Sequence, residues 1–263
     1  MYEFAYTKPA SAADAVRALG GEDAKALAGG QTLLPVLKQR LNRPSVVVDL
    51  AALGLTGIKV GADTVTIGAM TTHAAVAASA DVQRAFPALA ALAGGIGDRQ
   101  VRNRGTIGGS LANNDPAADY PAAVLATGAT IRTSKRALAA ADFFQGMFTT
   151  ALDADEIITE VSFPIPLKAA YMKFANPASR YAMVGVFVAK GTAGVRVAVT
   201  GAGQDGVFRH TAMEQALSRS WSPAALDGVA TPADGLNGDI HGSAEYRAHL
   251  IGVMARRAVA AAG

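Results

Sequence analysis

Two glycine doublets set the tightest limit on what this chain can build. Gly29-Gly30 stands in "LAGGQTLLP" and Gly108-Gly109 in "RNRGTIGGSLANNDPAADYP", and each is followed within two positions by a hydroxyl, Thr32 or Ser110. Glycine has no Cβ, so it admits positive φ and close approach of the backbone to another group. Consecutive N–H groups in such a loop can converge on an anionic oxygen, with the hydroxyl as a further donor. Either doublet alone reads as a tight turn or bulge. Two with matched hydroxyls suit two loops that meet around a pyrophosphate.

The flanking patterns point to alternating strands and helices. "AKALAG" reads as a strand. "QTLLPVLKQRLNRP" reads as a helix with Leu33, Leu34, Leu37 and Leu41 on one face, closed by Pro44. "SVVVDL" and "GIKVGADTVTIGAM" are strand material, Thr71 or Thr72 opens a helix, and "DVQRAFPALAALAGGIGD" reads as a longer alanine-rich helix. The second doublet then falls in a strand-like segment, before a helix in "DYPAAVLATGATIRT" and a strand in "DEIITEVSFPIP" ended by two prolines. Those prolines place a boundary near 166. Beyond it, "AAYMKFAN", "YAMVGVFVAKG" and "GVRVAVTGAG" predict a three-stranded sheet, followed by helices. The last helix starts at Ser243, with a packing stripe of Tyr246, Leu250, Val253 and Met254.

Composition narrows the chemistry. The 263 residues, 51% of them apolar, suffice for one large domain or two modest ones. There is no cysteine, so thiolate metal sites and protein-ligated iron–sulfur clusters are excluded from this chain. A net charge of +3 with interspersed signs gives no footprint for nucleic acid. The N-terminus lacks a signal-length apolar core and no run approaches a membrane span, which places the protein in the cytoplasm. There is no Walker motif, and "GGIGDRQVRNRGTIGG" lacks the dinucleotide spacing of a Rossmann turn. His73, His210, His241 and His249 have no metal-ligand spacing and read as surface or cap residues; no hydrolase triad is visible. Arg99, Arg102 and Arg104 precede the second doublet, either to neutralise phosphate charge, to face a partner, or to pair with Asp98 and other acids.

"AGGQTLLPVLKQRL", "IGDRQVRNRGTIGGSLANNDPAADYPA", "DFFQGMFTTAL" and "DEIITEVSFP" resemble the FAD-binding medium subunit of the molybdenum hydroxylases, the xanthine dehydrogenase and carbon monoxide dehydrogenase family. The resemblance runs from "FAYTKPAS" to "SAEYRAHL". It implies an α+β fold: a two-part FAD-binding domain of the vanillyl-alcohol oxidase (PCMH) type over residues 1–166, its subdomains meeting near 55–60, and a small C-terminal domain over 167–263.

By position, it also implies a cofactor site. Ala28, Gly29, Gly30, Gln31, Thr32 and Leu33 form one diphosphate loop, and Thr106, Ile107, Gly108, Gly109 and Ser110 the other. Asp119 holds sugar hydroxyls of FAD; Asp115 either joins it or caps the helix containing it. Ile158 lies beside the adenine or ring system, and otherwise reads as a core strand residue. Lys173 and Tyr181 stand near the flavin ring, where without the resemblance they read as a solvated strand lysine and a half-buried sheet aromatic. Gln31 and Ile96 depart from residues that some relatives carry, histidine and phenylalanine. Phe143, Phe144, Met147 and Phe148 read as core packing, a partner contact or a flavin shield. The implied function is electron transfer: a small [2Fe–2S] subunit and a large molybdopterin subunit feed this flavin, in a dimer of heterotrimers, and an external acceptor drains it. A stand-alone flavin reductase similar to UDP-N-acetylenolpyruvoylglucosamine reductase, or a non-catalytic nucleotide-binding module, are the other readings.

Overall fold

The computed structural model describes all 263 residues. The first stretch runs β1 (Ala5–Thr7), α1 (Ala12–Leu19), β2 (Lys25–Leu27), α2 (Leu33–Lys38) and β3 (Val46–Asp49). Its three strands pair in parallel in the order β1-β3-β2. α2 ends at Lys38 and the chain turns at Arg40, φ 59°, so Leu37 is buried while Leu41 stands 72% exposed, off the face expected for it.

The second stretch opens with the hairpin β4 (Ile58–Val60) and β5 (Thr64–Gly68). Six helices follow: α3 (His73–Ala78), α4 (Ala80–Ala85), α5 (Pro87–Gly94), α6 (Arg99–Arg104), α7 (Ile107–Asn113) and α8 (Tyr120–Thr127). β6 (Thr130–Thr133), β7 (Ala137–Ala139), α9 (Ala140–Phe143), β8 (Phe144–Gly146), β9 (Thr149–Thr150) and β10 (Ile158–Pro164) complete it. The sheet order is β4-β5-β10-β6-β7, antiparallel throughout. Two local expectations change here. Phe86 takes φ −146°, ψ 67° because the residue before a proline is driven out of the helical region, and this splits the alanine-rich segment into α4 and α5. The strand-like segment at the second doublet is a helix, α7, capped by Thr106.

The third stretch is β11 (Lys168–Ala175), β12 (Ala182–Gly191), β13 (Gly194–Thr200), β14 (Phe208–Arg209), α10 (Thr211–Arg219) and α11 (Ala244–Ala262). The sheet has four strands rather than three, because Phe208 and Arg209 pair with Val199 and Ala198. Ser243 caps α11 by accepting the Tyr246 N–H, and Leu250 and Met254 are buried under it. Period-two alternation makes this sheet serve two cores. Val184, Val186, Val188, Val197 and Val199 pack on α10 and α11, while Phe187, Ala189 and Ala198 join the core built by α3–α8 and β10.

Candidate functional site

A cleft of about 600 Å³ lies between the two glycine loops and the segments 113–119, 148–158 and 179–181. Ala28 to Leu33, Ile96, Thr106, Gly108, Gly109, Ser110, Asp115, Asp119, Ile158 and Tyr181 all line it. Ile107 is buried in the core behind the second loop, and Lys173 reaches the site only through Asp119.

The first loop passes from β2 into α2. Gly30 takes φ 74°, and a Cβ on Gly29 would overlap the carbonyl oxygen of Arg104, so the doublet serves the turn and the contact with the chain before the second loop. The amides of Gly29, Gly30, Gln31 and Thr32 have no acceptor in the protein, and the Thr32 hydroxyl makes no cap bond. Four backbone donors at a helix start, on residues that line the cleft, are therefore unanswered within the protein.

The second loop differs. Ile107 N donates to Thr71 O at 3.1 Å, Gly108 N to Ala69 O at 2.8 Å, and Gly109 N to the Thr106 hydroxyl at 3.1 Å. Its glycines are needed mostly for packing: a Cβ on Gly108 would lie 2.7 Å from Ala69 Cβ, and one on Gly105 2.6 Å from His73 Nε2. Gly109 alone opens toward the first loop, its absent Cβ 3.4 Å from Ala28 Cβ. The expected symmetry between the loops thus fails: free amides belong to the first, while the second supplies the Ser110 hydroxyl and a close wall.

His73 lines the same region and is neither a surface nor a cap residue. It is 5% exposed and its Nδ1 has no partner. Burial, helped by the Arg102 guanidinium, drops its pKa to about 4, so the ring is neutral at pH 7. Arg102 donates to Ile96 O and Gly97 O, and none of Arg99, Arg102 and Arg104 is ion-paired; Asp98 instead caps α6 through Val101 N. His210 is a cap, accepting from Met213 N.

Asp119 is the buried acid of the cleft. It occupies the N-cap position of α8 without a cap bond, and its carboxylate accepts the Tyr171 hydroxyl at 2.5 Å and Lys173 Nζ at 3.0 Å. Burial pushes its pKa up, and Lys173 and Tyr171 pull it back. Lys173, its side chain 11% exposed and also donating to Gly95 O at 2.8 Å, is no solvated strand lysine. Asp115 does not cap α8, since its Oδ1 takes the Ala117 N–H. Tyr181 stands half-exposed at the mouth, its phenol pKa raised by burial and by Asp115 and Asp119. Phe148, which also lines the cleft, is exposed on the β8–β9 hairpin at φ 55°, while Phe143 is core and Phe144 packs edge-on to it.

The sequence does not single out Glu156 and Arg180 as lining residues and points His73 to the surface or a cap, whereas Phe148, one of the candidate flavin shields, does line the cleft. Glu156 was marked only by its place in "DEIITEV"; Arg180 carries no local signal. Four orphan amides and two free hydroxyls as donors, with a buried carboxylate as acceptor, are the set that suits a dinucleotide with a diphosphate and sugar hydroxyls.

Comparison with known proteins accords with that chemistry. The family model of the FAD binding domain in molybdopterin dehydrogenase matches residues 2–166, and that of the CO dehydrogenase flavoprotein C-terminal domain matches 169–262. The class is thus an FAD-binding flavoprotein chain. The nicotine 6-hydroxylase medium subunit of Paenarthrobacter nicotinovorans is 40% identical over 98% of this chain and 96% of its own. The carbon monoxide dehydrogenase medium chain of Afipia carboxidovorans is 35% identical over 97% and 95%. In the solved structures, reconstituted CO dehydrogenase from Oligotropha carboxidovorans superposes with a TM-score of 0.91 at 34% identity, covering 99% of this chain and 98% of that one. The chain belongs to the FAD-binding medium subunits of the molybdenum hydroxylases, oxidoreductases of several subunits. A stand-alone flavin reductase is not favoured.

Proposed function

We propose that this chain holds one FAD along the cleft. Its diphosphate would meet the free amides of Gly29–Thr32 and the hydroxyls of Thr32 and Ser110, and Asp119 would accept its sugar hydroxyls. The observation that carries the reading is the run of four consecutive amides without a protein acceptor, on residues lining a cleft that also holds a buried carboxylate. FAD supplies the capacity to accept and release electrons singly or in pairs. The chain's own residues bind and orient it: Lys173 keeps the buried Asp119 compensated, and Tyr181 and Phe148 flank the mouth and restrict water. Residues 1–166 form the flavin-binding part and 167–263 the C-terminal part. Electrons would arrive from the clusters of a small [2Fe–2S] subunit after oxidation at a large molybdopterin subunit, in a dimer of heterotrimers, and leave to an external acceptor. The zero cysteine count supports placing every cluster in another chain.

The test is direct titration of the flavin-free chain with FAD. One FAD per chain is expected, and Asp119→Asn is expected to weaken binding by about 1–3 kcal/mol, the cost of losing hydrogen bonds to a charged acceptor. An unchanged Kd removes Asp119 from the cofactor site.

A further inference from the structure

The connector between α7 and α8 carries both acids that line the cleft beside the second loop, Asp115 and Asp119. Its internal hydrogen bonds are few: Asp115 accepts the Ala118 N–H on its carbonyl and the Ala117 N–H on Oδ1, each at 2.9 Å. At its start Asn114 is held by the β8–β9 hairpin, donating to Gly146 O and Thr149 O, and the 116–119 turn that follows is answered from the C-terminal sheet. Thr200 Oγ1 lies 2.6 Å from Ala118 O and 3.0 Å from Pro116 O, so its single proton is shared between two connector carbonyls. Gly201 N donates to Pro116 O at 2.8 Å. Tyr171 and Lys173 hold the Asp119 carboxylate.

Strand register puts these groups on one face. Lys173, Gly185 and Thr200 form a row across β11, β12 and β13, and Tyr171, Phe187 and Ala198 form the next row on that side. Gly185 is the gap that lets them reach the connector. A Cβ there would overlap the Tyr171 hydroxyl and sit 2.8 Å from Thr200 Cγ2. Glycine inside a buried strand costs stability, so its presence among valines in β12 marks clearance that the Tyr171 and Thr200 side chains need. Thr200 is fully buried, and the Tyr171 hydroxyl has Asp119 as its only hydrogen-bond partner.

We propose that Tyr171 and Thr200 are positioning residues for the cofactor: through them the C-terminal sheet fixes the 116–119 turn and aims the Asp119 carboxylate into the cleft. The proposal rests on the reading of the cleft as an FAD site. A carboxylate has roughly four acceptor positions. With Tyr171 and Lys173 taking the positions on the sheet side, those facing the cleft remain for ligand hydroxyls. Burial and the Asp119 charge keep the Tyr171 phenol protonated, so it remains a donor.

FAD titration of the full chain, followed by flavin fluorescence, separates the outcomes. Failure of the unaltered chain to bind FAD overturns the cleft reading, and the positioning role with it, before any variant is made. If the unaltered chain binds, Tyr171→Phe is expected to raise Kd about fivefold to tenfold, less than a direct hydrogen bond to a charged group carries because the effect reaches the ligand through Asp119. Thr200→Val, close in volume, is expected to raise it severalfold. The decisive comparison is Tyr171→Phe in an Asp119→Ala background, where its effect is expected to fall below about twofold because the residue acts through Asp119. Far-UV circular dichroism confirms folding of each variant. If Asp119→Ala does not fold, the two single variants decide: an unchanged Kd in both overturns the proposal, as does an equal loss from Tyr171→Phe in both backgrounds.

Discussion

Gly29, Gly105 and Gly108 lack side chains because other protein atoms occupy the space a Cβ would need, whereas Gly109 borders the gap between the loops. The motif therefore combines two requirements that a sequence writes in the same letter. Gly29→Ala forces a Cβ into the Arg104 carbonyl, a backbone atom that cannot rotate away. It is expected to destabilise the chain by about 1–3 kcal/mol or more, as overpacking does. Gly109→Val has a softer clash, 3.0 Å to the Thr106 hydroxyl, but narrows the space between the loops. It is expected to keep the native far-UV spectrum and lose bound flavin. Thermal melts and flavin absorbance after gel filtration check both, and a stable, flavin-free Gly29→Ala beside a flavin-replete Gly109→Val would reverse the assignment.

At the level of elements, the entry to β10 hangs on Glu156. Its side chain is wholly inaccessible and accepts Arg136 Nη2 at 2.9 Å, the Thr133 hydroxyl at 2.6 Å and Asp153 N at 2.9 Å, tying the β6–β7 turn to the loop before β10. Burial acts to raise the carboxyl, but Arg136 and the hydrogen bonds exceed it and bring the pKa from 4.5 down to about 2. A carboxylate depressed in the fold stabilises fully above the unfolded value, and its contribution is lost as pH falls from about 4.5 to about 2. At ~1.36 kcal/mol per unit this is at most about 3 kcal/mol, lowered by solvent screening of the half-exposed Arg136. Glu156→Gln is expected to be less stable than the unaltered chain at pH 7 and nearly equal to it at pH 2, by urea midpoints. An equal gap at both pH values would discard the ion pair as the source. Such ties were not legible in the sequence, because Glu156 and Arg136 meet only after the sheet forms. The strands from 168 to 200 and the Ser243 cap were legible, since alternation and capping are local. α7 was misread because Thr-Ile-Gly-Gly favours extended backbone by propensity, while the Thr106 cap and the carbonyls of Ala69 and Thr71 override it. Nearly all the glycine-loop residues line the cleft; Tyr171 carries no signal in the sequence and His73 reads there as a surface or cap residue, because the significance of both lies in what tertiary packing sets beside them.

The whole molecule is built so that its C-terminal sheet cannot be separated from the cleft without exposing Phe187, Ala189 and Ala198, which belong to the same core as α5 and α8. The chain contains no cysteine, so it carries no thiolate-ligated iron–sulfur cluster of its own. In the function proposed above, the electrons that reach a flavin here come from a cluster on another polypeptide. The chain purified alone is expected to contain FAD, to lack stoichiometric iron and molybdenum, and to remain oxidised when given the substrate of its molybdenum enzyme under anaerobic conditions. Adding the two partner subunits, produced together with it, is expected to bleach the flavin absorbance on the same addition. Metal analysis and anaerobic difference spectra read both states. Bleaching of the lone, metal-free chain by substrate would mean that the reaction occurs at the flavin itself, and would return the protein to the stand-alone reductases.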